Sequence, residues 1–181
     1  VCLVMLAAAA TFTGLTPVKT LQIKSDMISS DNLGNLYAIE GNTLRKYNRN
    51  GELYAEYTNT RIDKFNSLDA SNPLKILLFS KSSAEIIRLD NKLAQQGSTS
   101  VLYHADLVSP AMTCNSYDNG VWIWDNALNE IVRLNQNATI DYRTGNLINI
   151  TGDNPEIKMI REKDFLLYVA APSHGLLIFD R

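Results

Sequence analysis

The residues that could carry chemistry are sparse. His104 and His174 sit in different stretches, with no carboxylate or cysteine beside them at metal-ligand spacing. A zinc or non-haem iron site needs three convergent ligands, so no metal is expected. Ser173-His174 lacks the strained elbow and the orienting acid of a nucleophilic triad, so no catalytic residue is assigned. The nine glycines are dispersed and none opens a helix, which argues against a phosphate-cradling loop. No cofactor is expected, and the ligand-binding residues stay unassigned.

The cysteines point the same way. Cys2 falls within Val1–Ala10, a uniformly apolar run followed by Thr11, Phe12, Thr13 and Gly14. The run is too short to span a bilayer, which takes about 20 apolar residues, but it fits the apolar region of a secretory signal. Residues 1–16 are therefore read as a signal-peptide remnant, clipped at its start, and the protein as exported to the periplasm or beyond. No membrane span is expected in the mature chain. Cys114 would then be the one remaining cysteine, a small buried apolar residue without a disulfide partner. Seventeen Lys+Arg against nineteen Asp+Glu give a net charge of -2, no reason to expect nucleic acid as a partner. The 45% hydrophobic and 20% charged fractions are those of a packed globular domain.

The elements that must position these residues come from an internal repeat. Leu36–Ile39, Ile76–Phe79, Val121–Trp124 and Leu166–Val169 align with starts 40, 45 and 45 residues apart. Each is followed by a second group, Leu44–Asn48, Ile86–Asp90, Ile131–Asn135 and Leu176–Asp180, ending in a large apolar residue and then Asn or Asp. Such short, β-prone, alternating runs are strands, and each pair is a hairpin. The closing Asn or Asp suits a turn, because its side chain can accept from nearby backbone amides. Weaker strands flank each hairpin, at Met27, Ser67, Met112 and Ile157 ahead of it, and at 53–57, 98–102 and 139–142 behind it. Four strands per unit of about 40–45 residues is the period of a β-propeller blade.

The expected fold class is therefore all-β, a propeller of about four blades with four antiparallel strands each. Residues 17–181 form the propeller, with blades near 21–57, 62–103, 107–143 and 152–181, the last incomplete. After the signal, the length holds not quite four repeats of about 44 residues. An incomplete ring and a piece of a longer protein are the reading.

Gly120-Val121-Trp122-Ile123-Trp124, followed after six residues by Ile131-Val132-Arg133-Leu134-Asn135, resembles the blade hairpin of the periplasmic two-component-regulator propellers. The chain is also similar to exported six-bladed-propeller-like proteins of Bacteroidota, on phrases such as Asp31-Asn32-Leu33-Gly34-Asn35-Leu36-Tyr37 and Ser71-Asn72-Pro73-Leu74-Lys75. The resemblance covers roughly residues 25–181 and speaks for fold more than function. WD-type propellers are disfavoured, since no blade carries the Trp-Asp pair after its third strand.

Within the repeat, Lys46, Arg88 and Arg133 form a basic column that Ile178 interrupts. It is expected on a solvated or salt-bridged side of the hairpins. Trp122 and Trp124 are expected on opposite faces, one packed between blades and the other reaching a surface or the channel. The innermost strands should present Met27, Ser67, Met112 and Ile157, then Ser29, Asp69, Cys114 and Met159, a mostly apolar set. Asn137-Ala138-Thr139 and Asn149-Ile150-Thr151 read as turn residues. The function expected is a non-catalytic, exported scaffold or accessory that meets another protein of the cell envelope. The alternative is a propeller enzyme or sugar sensor with its site at the channel mouth.

Overall fold

The computed structural model describes residues 19–97, 100–102 and 106–180; residues 1–16 and His104 lie outside this range. The described residues form fifteen strands and one short helix. Sheet 1 holds β1 (Met27–Ser30), β2 (Leu36–Glu40), β3 (Thr43–Tyr47) and β4 (Leu53–Thr58). Sheet 2 holds β5 (Ser67–Asp69), β6 (Ile76–Ser80), β7 (Glu85–Leu89) and β8 (Ser100–Val101). Sheet 3 holds β9 (Pro110–Asn115), β10 (Val121–Asp125), β11 (Glu130–Leu134) and β12 (Ile140–Arg143). Sheet 4 has three strands, β13 (Met159–Lys163), β14 (Leu166–Ala171) and β15 (Gly175–Phe179), and is preceded by α1 (Ile148–Thr151).

Every sheet is an antiparallel meander in chain order. The first strands of successive sheets, β1, β5, β9 and β13, pack on one another in sequence. The series is open rather than closed into a ring.

Packing follows from the period-2 alternation of the hairpins. The side chains of Tyr37, Ile39 and Leu44 face sheet 2, where they meet Ile76, Leu78 and Ile87. The other face of sheet 2, with Leu77, Phe79 and Ile86, meets Val121, Ile123 and Val132 of sheet 3. Trp122, Trp124 and Ile131 then meet Leu167, Val169 and Ile160 of sheet 4. At about 1.5–3 kcal/mol for each large apolar side chain buried, these three clusters are the main source of stability. Sheet 4 turns its remaining face outward, leaving Leu176 and Ile178 more than half exposed.

The turns between third and fourth strands use the Asn or Asp that closes the repeat. Asn48 Oδ1 accepts from the amides of Asn50 and Glu52 at 2.9 and 3.0 Å, and Asp90 Oδ1 from those of Lys92 and Ala94 at 2.8 Å. Asn135 Oδ1 does the same with Asn137 and Thr139. The repeated side chain thus substitutes for solvent on two amides per turn.

Two expectations change. Val121 lies opposite Leu134, and its counterpart opposite Phe179 is Leu167, one residue later than the sequence alignment placed it. Likewise Met159, not Ile157, stands where Met27, Ser67 and Met112 stand. The innermost set is therefore Ser29, Asp69, Cys114 and Arg161. The cause is that both connections flanking β14 are one residue shorter than those flanking β10, which displaces β14 by one residue and β13 by two from the positions that the repeat spacing gives. Second, Trp122 and Trp124 share one face and are both buried against sheet 4, because strand residues two apart point the same way.

Candidate functional site

The innermost strands enclose a cavity of about 290 Å³ touched by all four sheets. Its polar groups are engaged in joining sheets. Ser67 Oγ and Thr113 Oγ1 lie 3.1 Å apart, and the Asp69 carboxylate accepts the Asn115 amide at 2.9 Å. Burial pushes the Cys114 thiol well above its ordinary value, helped by the carboxylates of Asp69 and Glu162. A protonated, buried thiol is a poor nucleophile. Arg161 reaches the same cavity and forms no side-chain hydrogen bond or ion pair among the described residues.

The densest polar chemistry lies between sheets 3 and 4. The Arg133 guanidinium, 2% exposed, donates from Nη1 to Asp141 at 2.5 Å, from Nε to Ser116 Oγ at 2.7 Å and from Nη2 to the Tyr117 carbonyl at 2.7 Å. Its plane also lies 3.9 Å from the Tyr117 ring. Ser116 Oγ passes the chain onward, donating to Glu162 of sheet 4 at 2.5 Å. Trp122 Nε1 donates to the same Glu162 oxygen at 2.5 Å, and the Tyr117 amide to the other at 3.3 Å. Every polar group in this network has a partner, which is the condition under which buried charge is tolerated. Gly120 is part of it. A Cβ there would sit 2.6 Å from Arg133 Nη2 and 2.8 Å from the Leu134 carbonyl, so only glycine lets the guanidinium through.

The basic column is therefore not solvated. Lys46, 5% exposed, donates to the Asn91 carbonyl of sheet 2 at 2.8 Å and lies over the rings of Tyr37 and Tyr54. Burial holds its ammonium below the ordinary value, against the pull of Asp31 and Asp90. Arg88 is half-buried, and burial lowers it too. In sheet 4 the place belongs to Ile178, which faces outward at 54% exposure.

At the end of the cavity where first and second strands turn, the surface has the opposite character. Leu33 in the β1–β2 turn, Leu74 in the β5–β6 turn and Phe165 in the β13–β14 turn are 62%, 63% and 63% exposed. Three of the four equivalent turns thus offer a large apolar side chain to solvent. Between the turns of sheets 2, 3 and 4 lies a cavity of about 310 Å³ whose lining includes Asn72, Tyr117, Glu162, Lys163 and Phe165. Tyr117 meets Phe165 edge-on, with ring centroids 6.2 Å apart. Asp164 and Phe165 form a two-residue turn with φ of +52° and +66°, a geometry that favours Asn-Gly and is strained for an aromatic residue. Lys163, Asp164 and Asp118 are exposed and form no side-chain hydrogen bond or ion pair among the described residues.

His174, in the β14–β15 connection, is half-buried. Its Nε2 lies 2.6 Å from Asp153, while its buried Nδ1 has no hydrogen-bond partner among the described residues. Among the described residues no cluster of three metal-ligating side chains occurs. No described helix is long and apolar enough to cross a membrane, and Cys114 is the free, buried cysteine of the described residues. Glu162, Asp141 and the apolar turn residues escaped the sequence reading. Asp141 and Glu162 find their partners across strands and sheets, whereas the Leu33, Leu74 and Phe165 set was visible as an apolar residue shortly before each second strand.

No protein-family model matches the chain, and no curated protein matches it in sequence. Solved structures do share its architecture. Streptogramin B lyase superposes with a TM-score of 0.55 at 16% identity, over 89% of this chain and 57% of that one. A protein of unknown function from Bacteroides caccae gives 0.59 at 15% identity, over 83% and 62%. The fold is a β-propeller. The C-terminal WD40 domain of Sif2 gives 0.59 at 14% identity, over 86% of this chain and 42% of that one, so the propeller likeness extends to WD40 domains at the level of fold. The chain spans 57% and 62% of the first two propellers' own length, and its four sheets are blades of this architecture.

Proposed function

We propose that this propeller is a non-catalytic, exported protein of the bacterial cell envelope that binds another protein through the face formed by its first-to-second-strand turns. The observation that carries the reading is the trio Leu33, Leu74 and Phe165, exposed at equivalent turns around one mouth of the central cavity. Exposed apolar side chains grouped on one surface and rimmed by polar residues are the mark of an interaction site. The ionisable groups beneath them favour a binder over an enzyme. Glu162 and Arg133 are held by multiple hydrogen bonds, and the Cys114 thiol stays protonated.

Affinity capture from an envelope extract, with the wild-type chain and a Leu33→Ser/Leu74→Ser/Phe165→Ser variant as baits, tests the reading. A protein retained by the wild type and lost by the variant is expected. Retention by both, or a bound small molecule that is chemically converted, overturns it. Export is tested separately by locating the full-length protein in cell fractions, where a cytoplasmic position would contradict it.

A further inference from the structure

We infer that the cavity between the turns of sheets 2, 3 and 4 is an anchor site for a polypeptide segment, which inserts an aliphatic or aromatic side chain beside Phe165 and Tyr117. The inference rests on the protein-binding reading above and names the chemistry of the partner. The cavity holds about 310 Å³, and its walls differ in character. One wall is aromatic. Tyr117 is backed by the buried Arg133 guanidinium at 3.9 Å and by its own backbone bonds to Arg133 and Glu162, so the ring is fixed before any partner arrives. Phe165 stands edge-on to it, 63% exposed. A rigid aromatic pair in a pocket with a polar rim is the usual composition of a binding hot spot.

Phe165 occupies a backbone position that glycine would fill without strain. At a φ of +66° glycine would be more stable, and the exposed ring gains little from burial. Strain retained at an exposed position is the pattern seen where a residue serves a ligand rather than the fold.

The rim decides which class of partner fits. Lys163 and Asp164 line the cavity and are exposed, so both signs are offered within one site. Nucleic acid needs clustered basic residues, and this lining sets one lysine against the carboxylates of Glu162 and Asp164. A neutral glycan would leave the unpaired charges of Lys163 and Asp164 without counterparts. A polypeptide, which can carry an apolar anchor between groups of either sign, complements all three features.

The test is a random peptide library displayed against the intact 181-residue chain, with a glycan array run in parallel. Enriched peptides are expected to share an aromatic or large aliphatic residue with charged neighbours. Their affinity should fall by about thirtyfold in Phe165→Gly, the loss of one central anchor. The same variant should melt at a higher temperature, because it releases the positive-φ strain; a residue with a purely structural role would lower stability and binding together. No enrichment, or peptides that bind Phe165→Gly as tightly as wild type, overturns the anchor site. If a captured envelope protein still depends on Leu33 and Leu74, the broader protein-binding reading survives that failure. A glycan whose binding requires Phe165 overturns both.

Discussion

The interface between sheets 3 and 4 and the turn face directly above it share residues 116–117 and 162–165, yet they treat polar and apolar groups in opposite ways. Below, Arg133, Ser116, Trp122 and Glu162 are joined in one chain of hydrogen bonds. Above, Lys163 and Asp164 form no side-chain bonds among the described residues, and Phe165 is 63% exposed. The contrast separates stability from function. The buried layer can be perturbed with large stability costs and the rim with almost none.

The largest expected effect comes from breaking the lower layer. Asp141→Ala strands the Arg133 guanidinium at 2% exposure, and equilibrium denaturation should show a loss of about 3 kcal/mol. Trp122→Phe keeps most of the ring but removes the donor to Glu162, and should cost about 2 kcal/mol in the same measurement. A cost near zero for either would mean that the network is incidental to the packing.

A smaller effect is expected at the first blade. Burial alone would raise the Asp31 carboxyl. Hydrogen bonds from the Asn35 side chain and amide, the Tyr37 hydroxyl and the Leu33 amide outweigh it and hold the carboxyl below its ordinary 3.8. A depressed folded value stabilises the protein above the unfolded one and is lost as pH falls through the folded one. Acid titration of unfolding should therefore show a loss below about pH 4 that Asp31→Asn abolishes. Persistence of the full loss in Asp31→Asn would assign it to other carboxylates.

The smallest stability effect belongs to the bare face of sheet 4. Ile178→Ser, at the column position that Arg133 fills in sheet 3, should change stability by less than about 0.5 kcal/mol while reducing self-association in sedimentation. A loss as large as that of Asp141→Ala would show that the two columns are equally buried.

Much of this architecture was legible in sequence because it is periodic. The hairpin strands, the closing Asn or Asp and the blade period all depend on neighbours within a few residues. What was not legible depends on pairing. The shorter Pro172–His174 connection displaces β14 by one residue and the shorter β13–β14 turn displaces β13 by one more, and only the hydrogen-bonded pairs reveal that Arg161 rather than Met159 stands with Cys114. The basic column was expected on a solvated or salt-bridged side; Arg133 is salt-bridged, and its burial was not legible because it finds Asp141 in the next strand and, through Ser116, Glu162 in the next sheet. The tryptophans were a matter of periodicity alone, and residues 122 and 124 fall on one face by the same alternation that defines the strand.

The turn face carrying Leu33, Leu74 and Phe165 is proposed to bind a protein partner. The opposite face supplies the control, with Val108 and Ile150 exposed at 65% and 55% in the connections entering β9 and β13. The most direct test is the affinity of a captured partner for two variants, Leu33→Ser/Leu74→Ser/Phe165→Ser and Val108→Ser/Ile150→Ser, measured by calorimetry on chains of matched stability. A loss of more than about thirtyfold in the first and less than about twofold in the second is predicted. Equal affinities, or a loss confined to the second variant, would contradict it.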